Sequence, residues 1–280
     1  MHDRLDPALE RDGNFEMHQE TATEPKINRF APEEWDEAAA ALRRDGVAIF
    51  DEFFPSRLIK QLRRDLEQEY PSYIGLGKPA DFLEVGNRRF VSPLRYAEPF
   101  DCKEIVANQI LDKFLSNILG DSFVYEAYGV TTSLAGASEQ NMHRDGGVLF
   151  GETGLDQILP PSAVTIVIPL VDMDSTSGST TFWPGTHRFR EAASDVSPIA
   201  EDIPVGSMAI WDFRIQHAGQ ANHGSIARPL LYFTACRPFW LDHKNFVEGR
   251  NAKLLASKKS LDRLEDKLRK RFSRAKLTEK

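Results

Sequence analysis

Phe123-Val124-Tyr125-Glu126-Ala127-Tyr128-Gly129-Val130-Thr131-Thr132-Ser133-Leu134 marks where the chain changes texture. Aromatic and β-branched residues dominate it, which fits a pleated, half-buried strand. Three more β-rich segments follow, Ala163 to Val171, Ser207 to Phe213 and Pro229 to Cys236, separated by Gly, Pro, Ser and Asp. Upstream the pattern is helical. Pro32-Glu33-Glu34 opens a helix with Trp35, Ala39 and Leu42 on one face, and Gly46 ends it. Val47-Ala48-Ile49-Phe50 then reads as a short buried strand. Ser56 is placed to cap a second helix in which Leu58, Leu62 and Leu66 recur every four residues. A third is predicted through Val106, Ile110 and Phe114, stopping before Gly120. From Ser257 onward, Leu261, Leu264, Leu268 and Phe272 mark a narrow apolar stripe on a charged C-terminal helix. Helices followed by several short strands predict an α+β chain with a jelly-roll core.

The 280 residues are 41% hydrophobic and 28% charged, which excludes collagen-like and wholly disordered chains. No run approaches the roughly 18 apolar residues of a membrane span. Met1 to Asp6 has no apolar core, so no secretory signal is expected. Two cysteines, Cys102 and Cys236, exclude a disulfide framework and make a cytoplasmic location the expectation. Residues 1–27 read as a flexible arm, 28–250 as one catalytic domain and 251–280 as a basic C-terminal helix. That last segment carries eleven Lys/Arg against four Asp/Glu, so the net charge of −7 leaves −14 on the preceding 250 residues. An acidic body argues against a nucleic-acid partner. The basic helix, with acids interspersed, reads as docked on the body rather than as a membrane anchor.

Two stretches carry chemistry. One is Gln140-Asn141-Met142-His143-Arg144-Asp145-Gly146-Gly147; the other runs from Trp211 to Gly219, with Arg228 eleven residues past His217. On extended backbone His143 and Asp145 share a face, because the side-chain period is two. Imidazole and carboxylate can then bind one ion, and a distant His217 supplies a third donor. Two His and one carboxylate with open positions opposite suit non-haem Fe(II). His-x-Asp alone reads more readily as a polar loop than as a ligand pair. Specificity comes from the order: amide, His-x-Asp, a Gly/Pro-rich turn, distal His, then Arg.

With these motifs the chain resembles the phytanoyl-CoA dioxygenase-like branch of the Fe(II)/2-oxoglutarate-dependent oxygenases. The likeness spans about Leu42 to Arg237. It rests on Leu42-Arg43-Arg44-Asp45-Gly46-Val47-Ala48-Ile49, Gln140-x-x-His143-Arg144-Asp145, Ser177-Gly178-Ser179-Thr180-Thr181-Phe182-Trp183-Pro184-Gly185-Thr186-His187, and Gly206-Ser207 through His217 to Arg228-Pro229. The resemblance implies a double-stranded β-helix (jelly roll, cupin-like) core, with N-terminal helices packed on one sheet. It also implies His143, Asp145 and His217 as iron ligands, and Arg228 as the residue that binds the distal carboxylate of 2-oxoglutarate. A guanidinium offers a bidentate fork and stays charged when buried. Gln140 and Thr180 match positions that hydrogen-bond the co-substrate, with Thr181 the alternative to Thr180. The implied cofactors are Fe(II), 2-oxoglutarate and O2. The implied reaction is hydroxylation, or another oxidation, of an unactivated C–H bond with release of succinate and CO2. Related halogenases carry a small residue where Asp145 stands, so this carboxylate argues for oxygenation.

Other residues receive plainer readings. His187 is expected to be a structural hydrogen-bonder, Cys236 a buried small hydrophobe, and His223 and His243 surface residues. Trp211 and Asp212 brace the strand before His217, with Asp212 a possible orienter of a ligand. Tyr70 to Pro99 is read as a lid in which Arg88, Arg89 and Arg95 pair with the acidic body or meet an acidic group. Leu149, Phe150, Phe239 and Trp240 form either an apolar pocket or ordinary core. The substrate expected from them is a mid-sized, largely apolar small molecule, met by a monomer or homodimer. The rival from another class is a jelly-roll metal hydrolase or isomerase that does not use 2-oxoglutarate.

Overall fold

The computed structural model describes residues 26–77, 79, 81–147, 149–150, 153–189, 195–243 and 253–278. Most of the expected arm, residues 1–25, lies outside them. The elements begin with β1 (Arg29–Phe30), α1 (Trp35–Asp45), β2 (Val47–Phe50) and α2 (Ser56–Glu69). Then come β3 (Leu83–Gly86), β4 (Arg89–Pro93), β5 (Arg95–Tyr96), α3 (Lys103–Val106), α4 (Gln109–Leu119) and β6 (Val124–Ser133). Next are α5 (Leu155–Ile158), β7 (Ala163–Pro169), β8 (Thr180–Trp183), β9 (Ile199–Ala200), β10 (Met208–Asp212), β11 (Gln216–Gly219) and β12 (Arg228–Cys236). The last four are β13 (Leu255–Ser257), α6 (Lys258–Asp262), α7 (Asp266–Arg271) and β14 (Lys276–Thr278).

Among the described residues these strands form an eight-stranded sheet in the order β1-β2-β10-β7-β12-β6-β4-β3, and two three-stranded sheets, β11-β8-β9 and β14-β13-β5. Period-two alternation divides the central strands of the large sheet between two cores. Val164, Ile166 and Ile168 of β7, with Leu231, Phe233 and Ala235 of β12, pack against Leu42, Leu62, Leu66, Phe114 and Leu115 of the N-terminal helices. Val167, Leu230 and Tyr232 face the other way, toward Phe182 of the small sheet and Ile215. Both faces of the large sheet are therefore covered, as predicted for a jelly roll with a helical layer. No helix among the described residues is long and apolar enough to cross a membrane.

The first helix forms as read. Gly46 ends it at φ 81, its N–H donating to Leu42 O at 2.9 Å. A Cβ there would lie 2.6 Å from His187 Nδ1. Gly46→Ala is expected to destabilise the protein by about 1–2 kcal/mol through the left-handed backbone alone, and by more through the clash, measured as a lower Tm. Ser56 is the first residue of α2 rather than its cap, a position taken by Pro55. The third predicted helix is divided at Asn108, whose Oδ1 accepts from Ile110 N at 3.0 Å and Leu111 N at 3.1 Å to cap α4.

The expected C-terminal helix is instead two short ones, α6 and α7, between β13 and β14. Ser257 caps α6, and Glu265 adopts extended backbone (ψ 153°) before α7, so one helix cannot continue through. The apolar stripe is nevertheless placed correctly, since Leu261, Leu264 and Phe272 are buried. Its basic residues meet the acidic body. Lys267 and Arg271 pair with Asp112 at 2.6 and 3.0 Å, and Arg274 pairs with the buried Glu126. Likewise, Tyr70 to Pro99 is not a free lid: β3 and β4 extend the edge of the large sheet.

Candidate metal centre

The inner face of the large sheet is a grid set by strand register. Arg89, Ser133 and Arg228 form one row; Val91, Thr131 and Leu230 the next. Gly129, Tyr232 and Val167 form the third row, and Thr234, Thr165 and Trp211 the fourth. A cavity of about 510 Å³ lies over this face, in the usual range for small-molecule sites.

His143, Asp145 and His217 meet in that cavity, each offering a ligand atom within 4.8 Å of the other two. The histidines are cross-strand partners. The N–H of each donates to the other's carbonyl at 2.9 Å, with ring centroids 4.4 Å apart. Beside them, Gln140 N donates to Gly219 O at 2.9 Å and Gly146 N to Phe213 O at 3.1 Å. The segment advances three residues from 140 to 143 while β11 advances two, so it is bulged rather than the regular strand expected.

Neighbouring groups aim the donors. His143 Nδ1 lies 3.0 Å from Asn141 O, and His217 Nδ1 lies 3.1 Å from Ile215 O. A carbonyl only accepts, so each Nδ1 carries its proton and each Nε2 keeps a lone pair for a metal. Asp145 Oδ2 accepts from Thr165 Oγ1 at 2.8 Å and from Trp211 Nε1 at 2.9 Å, while Oδ1 faces His217 Nε2 at 3.4 Å. Burial would raise the Asp145 carboxyl, but His217 and His143 in their protonated forms, with the Thr165 hydroxyl, outweigh it and hold the group well below the usual carboxylate range. Three donors of this chemistry, with second partners already fixed, fit a divalent metal.

Period two puts Trp211 and Asp212 on opposite faces, and the bracing role falls to Trp211. Asp212 turns instead to Arg214, at 2.7 Å. Trp211→Phe is expected to weaken metal affinity about 10–100-fold, the usual effect of losing an outer hydrogen-bond partner, with the melting temperature little changed. An anaerobic metal titration measures it.

Arg228 lies at the other end of the grid and is 1% exposed. Its Nε and Nη1 are buried without a hydrogen-bond partner. Burial, and then the neighbouring Arg89, pushes its pKa down to about 9. Arg89, also buried, lines the same cavity and falls to about 10. Its Nη2 donates to Gln220 O at 2.7 Å and Ser138 O at 3.3 Å, while Nε lacks a partner. Of the two readings of this arginine, pairing on the surface is thus wrong for Arg89, which the pairing of β4 with β6 carries inward. Two buried guanidinium groups in one pocket, each with nitrogen atoms lacking a partner, fit a carboxylate.

Gln140 and Thr180 both line the cavity; Thr181 is not among its lining residues. Gln140 ties strands together, its Nε2 donating to Val85 O at 2.7 Å and its Oε1 accepting from Gly219 N at 3.0 Å. Gly219 permits this approach, since a Cβ there would lie 2.6 Å from Arg89 Nη1 and 2.7 Å from Gln140 Oε1. His187 is structural as expected, buried with Nε2 3.2 Å from Arg43 O. Cys236 is fully buried, while His223 and His243 are exposed. Of the four residues read as pocket or core, none lines the cavity. Trp240 packs on Phe213 at 4.9 Å, and Leu149, Phe150 and Phe239 are exposed. The apolar lining comes from Leu83, Val85, Val91, Val167 and Leu230 instead. Tyr232 and Asp242, which sequence reasoning passed over, line it as well.

The family model of phytanoyl-CoA dioxygenase (PhyH) matches residues 42–230. Among solved structures, HygX from Streptomyces hygroscopicus, with nickel, 2-oxoglutarate and hygromycin B bound, aligns with a TM-score of 0.58 at 13% identity, covering 77% of this chain and 95% of that one. AviO1 from Streptomyces viridochromogenes Tue57 aligns at 0.55 with 17% identity, over 74% and 96%. The epimerase SnoN, in complex with Fe3+, alpha ketoglutarate and nogalamycin RO, aligns at 0.54 with 14% identity, over 78% and 91%. At such identities the likeness to the three structures is one of fold.

Proposed function

Because the chain belongs to the phytanoyl-CoA dioxygenase family, we propose that it is an Fe(II)- and 2-oxoglutarate-dependent oxygenase that hydroxylates an unactivated C–H bond of a mid-sized small molecule. One observation carries the reading. A two-histidine, one-carboxylate donor set and an unpartnered buried arginine face the same cavity. Fe(II), 2-oxoglutarate and O2, when bound, supply the oxidising chemistry, with succinate and CO2 as co-products.

The chain's own residues do the rest. His143, Asp145 and His217 would hold the metal, a donor set that suits non-haem Fe(II). Arg228 takes the far carboxylate, with Arg89 adding positive charge beside it. Together they fix the length and direction of the keto-acid in the pocket. Thr165 and Trp211 keep Asp145 aimed, and the apolar side chains of Val91, Leu230 and Val167, on the rows between, help exclude water. A metal hydrolase has no use for a buried guanidinium lacking an anion, which disfavours that rival.

The test is substrate-stimulated succinate formation by the Fe(II)-loaded protein across a panel of candidate metabolites. Succinate release is expected, with a product heavier by one oxygen. A product of unchanged mass and inverted stereochemistry would replace hydroxylation with epimerisation. Failure of the metal-loaded protein to bind 2-oxoglutarate would end the reading.

A further inference from the structure

Residues 253–278 lie beyond the 42–230 family match, yet Arg274 among them reaches back toward the metal centre. Val124, Ala163, Phe213, Cys236 and Trp240 form a small core of their own, apart from the two on the faces of the large sheet. One side of it meets the metal loop. Phe213 lines the cavity, its carbonyl accepts from Gly146 N at 3.1 Å, and a Cβ on Gly146 would stand 2.8 Å from its ring. Gly146 follows Asp145 directly, so the place of the Phe213 ring bears on where the loop sits. Behind Phe213 stands Trp240, edge to face, with ring centroids 4.9 Å apart. Such a pair in a close-packed cluster transmits a shift of one ring to the other.

Arg274 holds Trp240 there. Its Nη1 donates to Trp240 O at 2.7 Å and to Cys236 Sγ at 3.4 Å, and its Nη2 donates to Pro238 O at 2.7 Å. One planar fork thus spans the turn that follows β12. Nη1 also pairs with Glu126 of β6, a buried carboxylate. Glu126 in turn accepts from Lys253 Nζ and from the Asp242 N–H, each at 3.2 Å, and Asp242 continues the chain into the cavity wall. Tyr128 N donates to Lys253 O at 2.9 Å, which fastens the C-terminal segment to β6. A guanidinium suits this task, because its donors are fixed in one plane while its acceptors here belong to four different residues.

We propose that Arg274 is a positioning residue of the metal centre. It fixes the turn 236–240, and through Trp240 and Phe213 it keeps Gly146, and Asp145 beside it, where Thr165 and Trp211 meet the carboxylate. Its effect on metal binding rests on the reading of His143, Asp145 and His217 as ligands. Its effect on the loop does not.

Two measurements on the full chain test it: hydrogen exchange of residues 140–147 in the metal-free protein, followed by mass spectrometry, and anaerobic Fe(II) titration. In Arg274→Met, Glu126 keeps Lys253, so no buried carboxylate is left without a cation and the variant should fold. Exchange in 140–147 is expected to speed up about tenfold beyond any change in β2, as a local opening. Fe(II) affinity should fall roughly threefold to tenfold, less than on losing a direct partner of a ligand. Trp240→Leu should do the same. The double variant should lose little more than either single one, because both act through one line of contacts. Lys267→Met removes an exposed ion pair of the same segment and should leave both readings at their wild-type values. A lower Tm for Arg274→Met, with exchange and Fe(II) affinity unchanged, would make the residue structural only and overturn the inference. Fully additive losses in the double variant would overturn it too. If Arg274→Met does not fold, Trp240→Leu, which leaves the ion cluster whole, decides: normal exchange in 140–147 overturns the inference and faster exchange supports it. Absence of Fe(II) binding in the wild type would instead sink the metal-centre reading, with the exchange comparison still deciding the role of Arg274.

Discussion

His217→Ala is expected to abolish metal binding and turnover together. The His217 ring stands at the centre of the site, its Nε2 3.4 Å from Asp145 Oδ1 and its ring 4.4 Å from that of His143. Removing it leaves two donors on a bulged segment, too few to hold Fe(II) against water. It also takes away the neighbour that most strongly offsets the burial of Asp145. The loss should exceed the roughly 10–100-fold effect expected of an outer partner such as Trp211, with succinate formation falling below detection. The backbone bonds between positions 143 and 217 do not need the ring, so the variant should still fold. Fe(II) titration and substrate-stimulated succinate formation measure the two effects. A variant retaining normal turnover would remove His217 from the ligand set and with it the proposed chemistry.

How much of this was legible in the sequence depends on whether a residue's role is local. His143 and Asp145 could be read because two positions along extended backbone share a face whatever the rest of the chain does. The strands around them could be read because β-branched runs between turn residues are a local signal. Arg89 could not. It reaches Arg228 only through β6, whose Ser133 pairs with both. Position 89 also gives no alternation cue, because Arg89 and Phe90 of β4 are both buried. Asp242 has the same difficulty, reaching the cavity only once Glu126, Lys253 and Arg274 come together. The divided helices failed for a smaller reason. The apolar period was right at Val106 to Phe114 and at Leu261 to Phe272, but one capping asparagine and one extended glutamate outweighed it. Burial is periodic in sequence; helix continuity is decided residue by residue.

Arg228→Met should separate the site's function from its stability. Met matches the aliphatic reach of arginine without its charge. In the wild type the guanidinium remains charged at neutral pH, although burial and Arg89 both disfavour that charge. The sign follows. A cation whose folded pKa is depressed opposes folding at every pH below its unfolded value, so removing the charge should stabilise the ligand-free protein. An increase in Tm of a few degrees is expected, at about 2–4 °C per kcal/mol for a chain of this size or somewhat smaller. 2-Oxoglutarate binding should move the opposite way. Taking one partner from a buried charge pair costs about 3–5 kcal/mol, or roughly 10²- to 10⁴-fold in affinity. The variant should also lose the rise in Tm that 2-oxoglutarate gives the wild type, since stabilisation by a ligand scales with its occupancy of the folded state. A structural arginine would behave differently, its loss lowering the ligand-free Tm. Unchanged 2-oxoglutarate affinity would assign the distal carboxylate to Arg89 alone, and a lower Tm with unchanged affinity would make Arg228 a core residue rather than an anchor.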